Sequence, residues 1–135
     1  MKNKEVVEAY YEAFNGHHLD RLDSLCAPDF RGHAGAGADL SQLKASLNGF
    51  FEGFPDMIAK VRYLISEEDL VSSWVSYVGT HEDTFAGVPG SGRAVNIAGW
   101  DLFRMKDGKI AELTQFCDLF TLMNQMGALP TTAPA

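Results

Sequence analysis

Two spacings divide the chain near Pro55. Upstream, apolar residues recur every three or four positions; downstream they alternate with polar ones. Val6, Val7, Tyr10, Tyr11 and Phe14 make one stripe over residues 4–15, and Asn15-Gly16 reads as its stop. A short second helix uses Leu19, Leu22 and Leu25 and ends before Pro28, because the residue ahead of a proline disfavours helical backbone. "DFRGH" reads as a short strand and "GAGA" as a loop. A third helix follows, capped near Asp39 or Ser41, with Leu40, Leu43, Leu47, Phe50, Phe51 and Phe54 on its buried side.

In "MIAKVRYLIS" the odd positions Met57, Ala59, Val61, Tyr63 and Ile65 are apolar, with Lys60 and Arg62 opposite, which predicts a strand. "EED" turns the chain into "LVSSWVSYVGTH", "GVPGSGR" is a loop, and "AVNIAGWDLFRM" is another strand. Asp107-Gly108 is a two-residue hairpin signal, because both central positions of a type I′ turn need positive φ. A last strand, "AELTQFC", runs into a short helix around Leu119 to Met126. One domain is expected over residues 1–128, with 129–135 ("LPTTAPA") as a flexible tail. Helices followed by a meander predict an α+β fold: N-terminal helices packed on one face of a curved, mainly antiparallel sheet. Such a sheet encloses a pocket where it bends away from its helices.

Strand parity then sorts the polar residues. Leu113, Gln115 and Cys117 share one face of the last strand. Asp101 goes with Val95, Ile97, Gly99 and Phe103, and His81 with Ser73, Val75 and Tyr77. Trp74, Trp100, Thr114 and Phe116 have the opposite parity. Aromatics on an outer face need a cover, and a homodimer formed sheet to sheet supplies one.

Length and charge narrow the function. A chain of 135 residues is one ordinary domain, and a net charge of −7 repels phosphate backbones and anionic membranes. Cys26 and Cys117 lack CxxC spacing, and the opening "MKNKEVVEAYYEAF" has no apolar signal core, so a cytoplasmic protein is expected. "GHAGAGAD" matches neither GxGxxG nor a P-loop. The four histidines show no metal-ligand spacing, and His17-His18 reads as a solvent-facing pair in the turn between the first helices.

The pieces Gly79-Thr80-His81, Phe85-x-Gly87-Val88-Pro89, Ser91-Gly92-Arg93, Arg104 and Asp107-Gly108-Lys109-Ile110 resemble the SnoaL-like polyketide cyclase family, within the nuclear-transport-factor-like superfamily. The opening "VVEAYYEAFNGHHLDRLDSLCAPDF" also fits the family's first helices, so the resemblance covers nearly the whole chain. It implies a cone-shaped pocket between sheet and helices (an α+β barrel), a homodimer, and no metal or organic cofactor. It also implies that the face carrying Leu113, Gln115 and Cys117 looks into the pocket. Family members include ring cyclases, hydroxylases, epoxide hydrolases and isomerases. The cyclases' catalytic carboxylate falls on Gln115 and their histidine on Asp101. The epoxide hydrolases would need arginine and aspartate near Val75 and Tyr77, so that reaction is rejected.

The residues themselves suggest proton transfer. Closing a ring by aldol chemistry needs a base beside a carbonyl and a donor for its oxygen. Asp101, desolvated in an apolar pocket, suits the first task. Gln115 cannot be a base, but it can donate a hydrogen bond or orient Asp101. His81 is a candidate proton carrier. His33, Tyr63, Tyr77, Phe51, Leu113 and Cys117 are candidate ligand contacts. Three readings stay open: a cofactor-independent cyclase- or isomerase-like enzyme acting on an oxygenated apolar molecule, a binding module without chemistry, and a dimeric scaffold whose pocket is filled by its own rings. A cavity below ~300 Å³ would favour the last.

Overall fold

Helix α1 (Asn3–Asn15) opens with Glu5 Oε1 accepting the Lys2 backbone N–H at 3.0 Å, and it buries the stripe from Val6 to Phe14. Its stop differs from the sequence expectation. Gly16 keeps right-handed backbone (φ −85°), and the left-handed residue is His17, at φ 57°. The His17 ring stacks on Phe51 with centroids 3.8 Å apart, and its Nε2 lies 2.9 Å from the Met57 carbonyl. His17 is therefore an anchor rather than a solvated turn residue, while His18 is exposed as expected. Beside it the Asn15 amide pairs with Ala59 as a strand would: its Nδ2 donates to the carbonyl at 3.0 Å and its Oδ1 accepts the N–H at 2.7 Å.

This computed structural model describes residues 2–128; the predicted tail at 129–135 lies outside them. A single 3-10 turn (Leu19–Arg21) leads into α2 (Leu22–Leu25) and then β1 (Cys26–Ala34), longer than "DFRGH" suggested. Asp39 caps α3 (Leu40–Gly53) by accepting the Gln42 N–H at 2.9 Å. Strands β2 (Ile58–Glu67), β3 (Leu70–Thr80), β4 (Ala94–Lys106) and β5 (Lys109–Cys117) precede α4 (Leu119–Gln125). The sheet order is β1-β5-β4-β3-β2, with β1 parallel to β5 and every other pair antiparallel. Helices packed on this mostly antiparallel sheet make the predicted α+β fold.

Asp107 (φ 51°) and Gly108 (φ 74°) form the predicted left-handed pair of the β4–β5 hairpin. The β2 strand departs from simple alternation. Val61 pairs with Val75 but Tyr63 pairs with Trp74, so Arg62 is an extra residue. A bulge of one residue turns every later side chain to the other face. Met57 and Ala59 are buried as predicted, but Tyr63 and Ile65 point outward, 68% and 65% exposed. Tyr63 is therefore not a pocket residue.

The inner face carries the core. Phe103 of β4 meets Tyr10 and Tyr11 of α1 edge to face, with centroids at 5.2 and 6.0 Å, and the two tyrosines meet each other at 5.2 Å. These contacts lay α1 across the middle of the sheet. Replacing Asn15 by Ala should cost about 1–3 kcal/mol, because the Ala59 N–H and C=O lose partners at a half-buried edge. Urea unfolding should show a lower midpoint at an unchanged m-value.

Candidate active site

Pairing of the central strands sets Asp101 opposite both Ser73 of β3 and Gln115 of β5. All three lie on the inner face, as parity predicted for Asp101 and Ser73 and as the family resemblance implied for Gln115. Asp101 is 1% exposed, and a buried carboxyl needs donors. The Tyr11 hydroxyl, reaching down from α1, donates to Asp101 Oδ2 at 2.5 Å and also contacts Ser73 Oγ. The Tyr77 hydroxyl donates to the same oxygen at 3.2 Å. Gly99 makes this possible, since a Cβ there would sit 2.3 Å from the Tyr77 ring. Gln115 Nε2 donates to the Tyr10 hydroxyl at 3.1 Å.

The electrostatics follow from burial. Loss of water pushes the Asp101 carboxyl up to about 6, against the opposing pull of hydrogen bonds from Tyr11, Tyr77 and the Gln115 amide. Burial and then the Asp101 charge hold the phenols of Tyr10, Tyr11 and Tyr77 well above their ordinary range, so they stay protonated donors. Cys117 is pushed up to about 11, by burial first and Asp101 second, and is a thiol at neutral pH. A nucleophilic role for it finds no support.

A cavity of about 380 Å³ opens onto this cluster. Phe14 of α1, Leu47 and Phe50 of α3, and Phe85 from the loop between β3 and β4 form apolar walls around Asp101, Tyr77, Gln115 and Cys117. Ala34, Gly35 and Ser46 line it too, as do Phe116 and Leu119. The volume lies within the range of small-molecule sites, so the interior is not filled by its own rings. Among the described residues no cluster of His, Cys, Asp and Glu is arranged to hold a metal ion.

Of the residues singled out from sequence, Asp101, Gln115, Tyr77 and Cys117 come together here; the others do not. His81 is fully buried away from the cavity, with Nδ1 accepting the Ser91 N–H at 3.2 Å and Nε2 facing the Val88 carbonyl at 3.2 Å. With both ring nitrogens engaged in its own loop, it anchors that loop and carries no proton to the cavity. His33 stands exposed beside Glu112 at 3.8 Å, since the end of β1 turns it to solvent. Tyr63 faces outward past the Arg62 bulge. Phe51 packs beneath the cavity wall against Phe14, at 5.0 Å, and Leu113 is core opposite Phe103.

Sequence reasoning missed the cavity-wall residues Phe14, Leu47, Phe50 and Phe85 and, among polar groups, Tyr10 and Tyr11. The tyrosines' place in the apolar stripe of α1 hid them. The available signal was that a buried tyrosine hydroxyl needs a polar partner, and Asp101 and Gln115 are the polar residues of the facing strands.

Comparison with known proteins places this arrangement. The profile described as SnoaL-like polyketide cyclase matches residues 4–126. A candidate SnoaL-like polyketide cyclase from Jannaschia sp. CCS1 is 28% identical, with a TM-score of 0.84, covering 95% of this chain and 93% of that one. IdmH, a candidate polyketide cyclase from Streptomyces antibioticus, is 30% identical with a TM-score of 0.84, covering 94% of this chain and 99% of its own. AclR, a candidate hydroxylase from Streptomyces galilaeus, shares the fold at 23% identity and a TM-score of 0.88, covering 98% of this chain and 89% of its own. No curated protein matches significantly.

The raised Asp101 carboxyl makes a stability prediction with a definite sign. Below about pH 4 both folded and unfolded chains hold the proton. As pH rises the unfolded chain ionises first, so stability is lost up to about pH 6 and the deficit is constant above it. Asp101→Asn keeps an acceptor for Tyr11 but cannot ionise. It should be more stable than wild type near pH 7.5, by up to about 3 kcal/mol, and should lose that gain near pH 4. Thermal melts of both proteins across this range check it; a gain that does not depend on pH would refute the assigned cause.

Proposed function

The chain belongs to the SnoaL-like polyketide cyclase family, and we propose that it is a cofactor-independent enzyme transferring protons on a small, apolar, oxygenated substrate. The observation that carries this reading is one buried carboxyl, raised to about 6, at an apolar cavity of ligand size. Near neutral pH Asp101 is ionised and takes a proton from carbon beside a carbonyl. It returns the proton to another atom as a ring closes or a double bond moves. Tyr11 and Tyr77 hold the carboxylate by its Oδ2 and stabilise its charged form. Gln115, tied to Tyr10, fixes the neighbouring wall. The relatives at 28% and 30% identity are candidate cyclases, which supports the same class. A cytoplasmic setting completes the proposal and accords with two cysteines that remain free thiols.

Gln115 favours a second reading. With no second carboxyl at the floor, the cavity can serve as a binding site without turnover. Proton exchange separates the two. In heavy water, the protein should catalyse deuterium incorporation beside the carbonyl of 2-tetralone, an enolisable bicyclic ketone. The rate should rise with pH through about 6 and then level, because the base is the ionised form. Asp101→Asn should lower it by roughly 10²–10⁴-fold. Exchange at the wild-type rate in that variant rejects the assignment.

We also propose a homodimer through the outer sheet face. Trp74 (49% exposed) and Phe116 (55%) stand there, and Trp100 stacks on Phe116 at 6.0 Å. Trp74→Glu should shift the light-scattering mass from two chains toward one, with the circular dichroism spectrum unchanged.

A further inference from the structure

The cavity accepts hydrogen bonds better than it donates them. Both phenols that reach Asp101 converge on Oδ2, and the carboxyl lines the cavity with Gln115 opposite it on the next strand. The Gln115 N–H group is committed to Tyr10 and leans on Asp101, so its carbonyl is what it has left for a ligand. The Tyr77 hydroxyl spends its proton on Asp101, and the Ser46 hydroxyl donates to the Gly35 carbonyl at 3.3 Å. For a carbonyl oxygen entering this site the lining leaves the Cys117 thiol as a donor. A group bearing N–H or O–H finds several acceptors.

Charge sharpens the choice. No Lys, Arg or His lines the cavity, and its other titratable groups, Tyr77 and Cys117, are held protonated. The lining thus carries a single formal charge, the Asp101 carboxylate. Four rings, Phe14, Phe50, Tyr77 and Phe85, line the cavity with it. Aromatic walls attract cations as well as apolar bodies, and an ammonium gains most where water is excluded. The usual objection to a buried ion pair is the cost of desolvating both partners. Here the fold has already desolvated the carboxylate, so a ligand meets only its own share.

We infer that the cavity binds hydrophobic amines in their protonated form, with Asp101 as counter-ion, Gln115 as acceptor and the ring-lined wall around the apolar body. This rests on the reading that the cavity is the functional site, but it does not require turnover. A cationic ligand of this kind would occupy the base and compete with an enolisable substrate.

The test compares two molecules of one shape, 2-aminotetralin and the neutral alcohol 2-tetralol, by titration calorimetry near pH 7.5. The amine should bind at least about tenfold more tightly. That preference should vanish in Asp101→Asn, whose fold is checked by circular dichroism, and shrink near pH 5, where the carboxyl takes up its proton. Phe85→Leu, which keeps an apolar wall, should weaken the amine several-fold more than the alcohol. Equal binding of the two, no detectable binding of the amine, or a preference that survives Asp101→Asn overturns the proposal. Deuterium exchange into 2-tetralone is read separately. Amine preference without exchange sinks the catalytic reading alone, and exchange without amine preference sinks this one alone.

Discussion

One buried carboxyl organises this molecule. Asp101 sits in the middle of β4, where pleat and burial would normally demand an apolar side chain, and it cannot stay there without donors. It draws one phenol from the first helix and one from the neighbouring strand. That requirement links the ends of the fold. Tyr11 belongs to a helix held on the sheet by the edge-to-face contacts of Tyr10, Tyr11 and Phe103, and by the Asn15 clamp on Ala59. The same packing that builds the core therefore aims a hydroxyl at the carboxyl. Gly99 yields the space in which the Tyr77 ring lies.

The fold was largely legible because its determinants are local. Helical spacing gave way to alternation at Pro55, Asp107-Gly108 specified its hairpin, and parity together with the family resemblance sent Asp101, Gln115 and Tyr77 to one face. Parity failed where the chain breaks its own period. Arg62 looks like an ordinary polar position between Val61 and Tyr63, and nothing in its neighbours marks it as a bulge. A bulge is set by how two strands meet across the sheet, which a single strand's sequence does not contain.

The histidines show a second limit. His81 has inner-face parity and a residue type suited to proton transfer, yet it lies just past the end of β3 and turns both ring nitrogens into the following loop. Its contribution to the cavity is indirect. By tying down Val88 and Ser91 it steadies a turn at Ala86 and Gly87, both with positive φ, that presents Phe85 to the cavity wall and against Phe50. His17 makes a similar point, since a loop histidine stacked on Phe51 cannot be told from a solvated one by sequence. Tyr10 and Tyr11 were hidden for the opposite reason. A helix stripe reveals which residues are buried but not which strand their hydroxyls will meet.

The amide at 115 has a physical consequence that composition alone would not suggest. Two carboxyls facing each other across β4 and β5 would share a proton, and their titration would belong to the pair. With Gln115 in place, Asp101 has no acidic neighbour across the strand, and its shift comes chiefly from burial. An amide also hydrogen-bonds without competing for the proton, so the carboxyl stays ionised near neutral pH in spite of its surroundings. A second acid would push one of the two toward the neutral form. The substitution therefore simplifies the site. It leaves a single base, a fixed amide beside it, and an aromatic enclosure whose response to a ligand depends on one charge.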